Sequence, residues 1–407
     1  MPRFLKMPRF FIVFLLVCAG WMAWLPAYAA ELRGIVKITT GLVHSCALTT
    51  VGGVKCWGYN SYGQLGNNAT SDSLTPVDVT GLSGGVSAIA AGGQHSCALT
   101  VAGGVKCWGD NRGGQLGDNS TTNPLTPVNV TGLTTGVKAI ATGYAHSCAV
   151  TTAGAVKCWG NNGVGQLGNN STIDRFTPVN VTGLSSDVIA ITAGAFHSCA
   201  LTSTGGVKCW GSNDTGALGD NSGRDRLTPV GVTDLAVGVI AIAAGWSHSC
   251  ALTNSGGVKC WGSNEFGQLG ENATTNRLLP VNVTGLSSGV SAIATGNNHS
   301  CALTVTGATL CWGKNDVGQL GDHSTNDRLT PVYVAEMGNG ASGVAAGGYH
   351  SCALTTTGGV KCWGANGSGQ LGDNSTNKNL IPDAVNGLTS GVSAIATGYS
   401  HSCALTA

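Results

Sequence analysis

Residues 95–109 read His-Ser-Cys-Ala-Leu-Thr-Val-Ala-Gly-Gly-Val-Lys-Cys-Trp-Gly. Two short β-compatible runs, 95–100 and 105–108, flank the Gly103-Gly104 turn, which is the pattern of a tight hairpin. The first run recurs with its His at His44, His95, His146, His197, His248, His299, His350 and His401, each 51 residues after the last. Cys-Trp-Gly keeps the same step at Trp57, Trp108, Trp159, Trp210, Trp261, Trp312 and Trp363. A fixed period of this length means an array of equal supersecondary units, none able to bury its apolar face alone.

Working outward from the hairpin, residues 86–91 form a preceding strand that ends at Gly92-Gly93. A polar Gly/Asn/Asp/Ser/Thr loop follows over 109–123, and residues 126–130 form a fourth strand with Pro127 near its start, where a missing donor is tolerated. No unit offers ten residues of apolar 3.6 periodicity free of Gly or Pro, so helices are not expected. Four short strands in each of seven units predict an all-β fold, a seven-bladed β-propeller of four-stranded antiparallel blades. A β-helix competes less well, because its coils are usually much shorter.

Composition narrows the function classes. Charged residues make up 10% of the chain, apolar residues 42%, and the formal net charge is +1. That is a folded protein without the basic footprint of nucleic-acid binding. Residues 1–30 differ from the rest: Arg3, Lys6 and Arg9 precede an apolar run from Phe10 to about Leu25, then Pro26-Ala27-Tyr28-Ala29-Ala30. The expectation is a secretory signal peptide over 1–29, with the propeller over 30–407 and no membrane span after cleavage. The alternatives are a lipoprotein site at Cys18, disfavoured by bulky Val17, and an uncleaved anchor, for which the run is short.

The strings His-Ser-Cys-Ala-Leu-Thr, Gly-Gly-Val-Lys-Cys-Trp-Gly and Asn-x-x-Gly-Gln-Leu-Gly resemble the regulator of chromosome condensation repeat, over about residues 35–407. The resemblance implies a seven-bladed propeller, here of an exported, bacterial type, with one repeat per blade. The family's founder is an exchange factor for a small GTPase and acts through an inserted wedge. These units are all of one length, so nothing corresponds to the wedge and that activity is not carried over.

Fourteen cysteines form seven pairs ten residues apart: Cys46/Cys56, Cys97/Cys107, Cys148/Cys158, Cys199/Cys209, Cys250/Cys260, Cys301/Cys311 and Cys352/Cys362. A hairpin register centred on Val51 sets Cys46 opposite Cys56, within disulfide reach, and export would supply the oxidising compartment. The competing readings are free buried thiols and a zinc site built from His44, Cys46 and Cys56. The resembled family keeps this His without the cysteines, which implies a structural hydrogen-bonding role and no metal. Equivalent histidines on neighbouring sheets lie roughly 10 Å apart, too far to share one ion.

In so uniform an array, specificity belongs where the units differ. The variable pair before each repeated His contributes Tyr144, Phe196, Trp246, Tyr349 and Tyr399, all in a turn that propeller geometry gathers on one face. Aromatics on rigid, variable turns are common interface anchors and also stack on sugars, while the plainer reading is that they cap the central channel. Arg175, Arg224, Arg226, Arg277, Arg328 and Lys378 cluster near one loop position among aspartates, which reads as a solvated rim. The sequons at Asn119, Asn129, Asn180 and Asn282 recur with the repeat and follow from its turn chemistry. His323, outside the motif, is expected in solvent.

No nucleophile elbow, paired acidic motif or Gly-rich loop leading into a helix occurs, and the Ser beside each His, as in Ser45, is expected to face away from it. The expectation is therefore an exported (periplasmic or extracellular) interaction module, not an enzyme and without cofactor. It would bind a protein partner, with a lectin-like carbohydrate-binding role or a secreted enzyme inhibitor as alternatives. The last copy is irregular: His401-Ser-Cys has no following Cys-Trp-Gly, leaving a partial eighth repeat over 392–407. Either the terminal strands join the ring beside 54–57, with Cys403 competing for Cys56, or the array is truncated.

Overall fold

A computed structural model describes residues 34–406; the expected signal peptide lies outside the described residues. The fold is a seven-bladed β-propeller of four-stranded antiparallel blades, over residues 35–78, 86–129, 137–180, 188–231, 239–282, 290–333 and 341–384. Strand order within each blade follows chain order. In blade 1 the strands are Ile35–Thr40, His44–Thr49, Val54–Gly58 and Ser73–Asp78. Among the described residues no helix is long and apolar enough to cross a membrane.

The two central strands of a blade pair in the register that the spacing implies, with Cys46 opposite Cys56 and Ser45 opposite Trp57. A disulfide joins the facing cysteines in every complete blade. Blades 1 to 4 carry Cys46–Cys56, Cys97–Cys107, Cys148–Cys158 and Cys199–Cys209. Blades 5 to 7 carry Cys250–Cys260, Cys301–Cys311 and Cys352–Cys362. The Cα separation is 4.1 Å in all seven, the close spacing of facing residues in an antiparallel ladder. Turn glycines permit this: Gly52 has φ +77° and lies against the backbone of Gly85 and Val86, where a Cβ would collide. The outer strand is less regular than expected. It spans Arg175–Asn180 in blade 3 but only Val128–Asn129 in blade 2, and in blade 3 its ladder to the third strand is interrupted at the Trp. The valine that follows, Val130, leaves the strand and is buried in the core.

Blades are joined by one interaction set that repeats around the ring. Trp108 of blade 2 is inserted among Val54, Leu65, Val79, Leu82 and Ile89. Its indole N–H donates to the backbone carbonyl of Gln64 at 2.9 Å, and the Ser96 hydroxyl donates to that same oxygen at 3.1 Å. Because the Ser96 proton is committed there, its oxygen accepts from His44 Nε2–H at 2.7 Å. The equivalent His–Ser distances at the next six junctions run from 2.8 to 3.0 Å. The repeated Ser thus does turn from the His beside it, but it is not idle: it belongs to the previous unit's His. At the blade 4–5 junction the carbonyl comes from Ala217, and Ser249 and Trp261 still find it. Only the backbone is needed.

The loop that presents this carbonyl is organised by the buried Asn of Asn-x-x-Gly-Gln-Leu-Gly. Asn60 accepts from Leu65 N–H and donates to Ala69 and Ser71 carbonyls. His323 stands where the other repeats place an Asn with positive φ, and adopts φ +66° on the exposed side of that loop.

The terminal strands do not join the ring beside 54–57. Val392–Thr397 and Ser402–Thr406 form a two-stranded sheet of their own between blade 7 and blade 1. Both edges of Val54–Gly58 are already taken, by His44–Thr49 and by Ser73–Asp78, and Cys56 is bridged to Cys46, so Cys403 does not compete for Cys56. Cys403 is free, with its Sγ 3.0 Å from Ser45 Oγ. It thereby occupies the position relative to blade 1 that Cys46 holds relative to Ser96.

The junctions lead to a mutational and a pH prediction. Trp159 is wholly buried whereas Trp57 is half-buried against the closing hairpin. Trp159→Ala should destabilise the fold by roughly 3–5 kcal/mol and Trp57→Ala by about half as much, read from denaturant midpoints. Burial lowers the repeated histidines, to about 3 for His44, His146, His248, His299 and His350 and to about 4 for His95, His197 and His401. The unfolded chain therefore binds more protons below about 6.5, so stability is full above that pH and falls as acid approaches the folded values. Melting temperature should drop steeply between about pH 6.5 and pH 4.5; a flat profile there would contradict neutral, buried imidazoles.

Candidate functional site

Each variable pair sits in the turn between a blade's innermost and second strands. The residue before the pair is a glycine, and packing demands it. A Cβ on Gly143 would lie 2.2 Å from the His146 ring and 2.8 Å from the Gly194 carbonyl of the next blade. These glycine turns stack around the axis, with Gly93 N–H donating to Gly143 O at 3.2 Å. Together they enclose a central channel of about 220 Å³. The first residue of each pair lines this channel, among them Tyr144, Trp246 and Tyr399, whereas Phe196 and Tyr349, second in their pairs, do not.

Tyr144, Phe196 and Trp246, from blades 3, 4 and 5, form one aromatic cluster. Ring centroids lie 5.9 Å apart for Tyr144–Phe196, 5.9 Å for Tyr144–Trp246 and 6.3 Å for Phe196–Trp246, with edge-to-face or tilted geometry. Tyr144 remains 40% exposed and Phe196 39%. Tyr349 and Tyr399 form a second group, 5.3 Å between centroids, with the Tyr399 hydroxyl 3.3 Å from that of Tyr349. Burial, then the Tyr349 hydroxyl, pushes the Tyr399 phenol well above its ordinary range. Between the two groups the turn of blade 6 carries Asn297 and Asn298. The five aromatics are thus a triad and a pair.

Sequence reasoning passed over neighbours supplied by another loop. Lys314, just after a Cys-Trp-Gly, places its ammonium 4.8 Å from the Phe266 ring centroid and 5.6 Å from that of Tyr349. Arg112 lies 4.4 Å over the Tyr62 ring. Both are cation–π contacts on the loops that follow the third strand. Their signal was present: Tyr62, Arg112 and Phe266 fill the variable positions of Asn-x-x-Gly. Three of the five rim arginines are tied down, Arg226 to Asp220 at 2.5 Å, Arg328 to Asp322 at 2.5 Å and Arg277 to Glu271, while Arg224 is exposed.

Two other chemically suggestive arrangements are sealed in the blades. His95 and Ser147 are each 1% exposed or less, so the hydroxyl of a Ser–His pair meets no substrate. The third-strand cysteines Cys56, Cys107, Cys158, Cys209, Cys260, Cys311 and Cys362 are buried just as deeply. Each is bridged to its neighbour across the hairpin, to Cys46, Cys97, Cys148, Cys199, Cys250, Cys301 and Cys352 in turn. A bridged sulfur is no thiolate, so these fourteen residues are structural and offer neither a zinc ligand nor a nucleophile. Among the described residues no cluster of three His, Cys, Asp or Glu side chains is arranged to hold a metal.

Likeness to known proteins agrees with this geometry. The model for the RCC1-like domain matches residues 174–407. Models for the regulator of chromosome condensation (RCC1) repeat match 52–99 and 102–150, and 35–64, 86–115 and 137–166. The ultraviolet-B receptor UVR8 of Arabidopsis thaliana is 33% identical over 347 residues, covering 84% of this chain and 79% of that protein. The E3 ubiquitin-protein ligase HERC2 of Homo sapiens is 35% identical over 387 residues, 91% of this chain but only 8% of its own length. Among solved structures, human WBSCR16 superposes with a TM-score of 0.72 at 24% identity, covering 87% of this chain and 98% of that one. Prp20p of Saccharomyces cerevisiae gives 0.70 at 22%, covering 90% and 92%; at such identity both are likenesses of fold. The chain belongs to the regulator of chromosome condensation (RCC1) repeat family.

Proposed function

We propose that this chain is an exported, non-enzymatic interaction module that binds a protein partner through the aromatic turns at the channel mouth. The observation that carries the reading is the triad of Tyr144, Phe196 and Trp246: three rings from three blades, held on a rigid rim with two of them exposed. Rigid, amphipathic rings lose little conformational entropy on binding, which is why they dominate interface energetics. Tyr349 and Tyr399 extend the surface on the far side of Asn297 and Asn298. The fold is used for protein contact elsewhere, since Prp20p is described with binding properties to Gsp1p and histones.

Two features support export to the periplasm or the extracellular space. Seven disulfides suit an oxidising environment, and the basic start, apolar run and Ala-x-Ala of residues 1–30 suit a secretory leader. The absence of enzymatic activity is supported by the sealing of the Ser–His pairs between complete blades. A secretion-regulating guanine nucleotide exchange factor of Bos taurus is 32% identical over 400 residues. Exchange through an inserted wedge does not fit this chain, because the constant 51-residue step leaves no room for one.

Crosslinking in the exported fraction identifies the partner, and a glycan array run beside it tests sugar binding. With the partner in hand, Tyr144→Ala combined with Trp246→Ala should weaken capture at least about tenfold. The melting temperature should stay nearly unchanged, since neither ring belongs to a core cluster. Undiminished capture by that double variant defeats the assignment, and binding to glycans alone replaces the protein partner by a carbohydrate.

A further inference from the structure

Blade 3 breaks a pattern that its neighbours keep at the rim. In blades 4, 5 and 6 the outer strand begins with an arginine, Arg226, Arg277 or Arg328. Its Nε–H donates to an acid in the preceding loop: Asp220 at 2.5 Å, Glu271, and Asp322 at 2.5 Å. The other oxygen of Asp220 and of Asp322 serves the loop, accepting from the buried Asn213 and Asn315. Arg175 opens the same strand in blade 3, but Asn169 stands where the acid belongs. Asn169 Oδ1 still accepts from Asn162 Nδ2, at 3.1 Å, so only its N–H groups are left for the arginine. A donor cannot answer a donor. Nε of Arg175 is accordingly buried without a hydrogen-bond partner. Among the described residues no carboxylate forms an ion pair with Arg175. The adjacent Asp174 is engaged elsewhere, its Oδ1 accepting the Asn162 N–H at 2.7 Å.

Two more departures fall at the same place. Ile173 is 65% exposed where every other repeat has a polar residue, and Phe176 is 41% exposed where every other repeat has leucine. The Phe176 ring is held against the blade 2 loop, where a Cβ on Gly114 would meet it at 2.3 Å. Residues 173–176 thus present two exposed apolar side chains and, between them in sequence, a guanidinium without its counter-charge.

We infer that residues 173–176 form a docking site for an extended segment of a partner protein in which an Asp or Glu side chain is flanked by apolar residues. The partner's carboxylate supplies to Arg175 what Asp220 supplies to Arg226, accepting from the terminal nitrogens of the guanidinium. The flanking side chains cover Ile173 and Phe176. Charge complementarity selects this occupant. A wholly apolar surface would strip water from the guanidinium and return no acceptor, which costs more than covering two side chains gains. The site is built on the loop after the third strand and contains none of the aromatic turns, so it stands or falls apart from the proposed function.

The probe is a random heptapeptide library displayed on phage, panned on the full chain after removal of every clone that binds Asn169→Asp. That substitution rebuilds in blade 3 the acid–arginine pair of blade 4 and closes the site from within. The retained peptides should be enriched in Asp or Glu beside an aliphatic or aromatic residue. Synthesised with a fluorescein label and titrated by anisotropy, they should bind saturably. Binding should weaken at least about tenfold when the peptide acid becomes its amide, and as much with Arg175→Gln or Asn169→Asp in the protein. The melting temperature of Asn169→Asp should hold or rise, which separates closure of the site from loss of the fold. Peptides without acid enrichment, equal binding of the amide peptide, or binding that survives both protein variants would overturn the inference. So would an oligomer of this chain that dissociates on Asn169→Asp, since the site would then belong to a second copy.

Discussion

The junctions between complete blades depend on one backbone oxygen. The carbonyl at Gln64 and its equivalents takes an indole N–H and a serine hydroxyl from the next blade, and that serine in turn takes the N–H of the blade's own histidine. A carbonyl has two lone pairs, and both are used, so this acceptor is saturated and the junction is specific without a single charge, although Nδ1 of His44 and of most of its counterparts is buried without a partner. Burial keeps the histidines neutral, and a protonated imidazole would force a charge into a junction that is built of neutral groups. The arrangement orients two sheets that would otherwise be held by apolar contact alone, and apolar contact has no direction.

This accounts for the division between constant and variable residues. His, Ser, Cys, Trp and Gly of the motif are committed to blade interiors and junctions, and the acceptor itself is backbone, so Ala217 can replace Gln without loss of either bond. Among the positions left free are the pair after the channel glycine and the two inside Asn-x-x-Gly. Those positions, with the neighbouring Lys314, carry the aromatic triad, the tyrosine pair and the cations that lie over rings. A rigid frame presenting a few variable turns is a general way to position binding residues.

Much of this was legible beforehand. The 51-residue step, the Gly-Gly turns and the ten-residue cysteine spacing led directly to blades, hairpins and facing cysteines, because hairpin register follows from turn length. The outer strand was harder to delimit: its ladder breaks at the Trp, and a period-two pattern cannot show such an interruption. The partnership of Ser96 with His44 was also hidden, since alternation tells which way a side chain points but not what the neighbouring sheet places there. The aromatic turns were found as a set, yet their division into a triad and a pair depends on the angular order of blades and on Asn297 and Asn298 between them.

The ends of the ring draw the boundary most clearly. By itself the sequence determined the number of complete blades, the strand pairing within each and the residues available at the rim, because these follow from local periodicity and turn chemistry. Only the tertiary structure decided how the ring closes: as a separate two-stranded sheet, with Cys403 against Ser45. Closure is a contact between residues 358 positions apart. It is set by which edges are already hydrogen-bonded and bridged, and no local pattern encodes that occupancy.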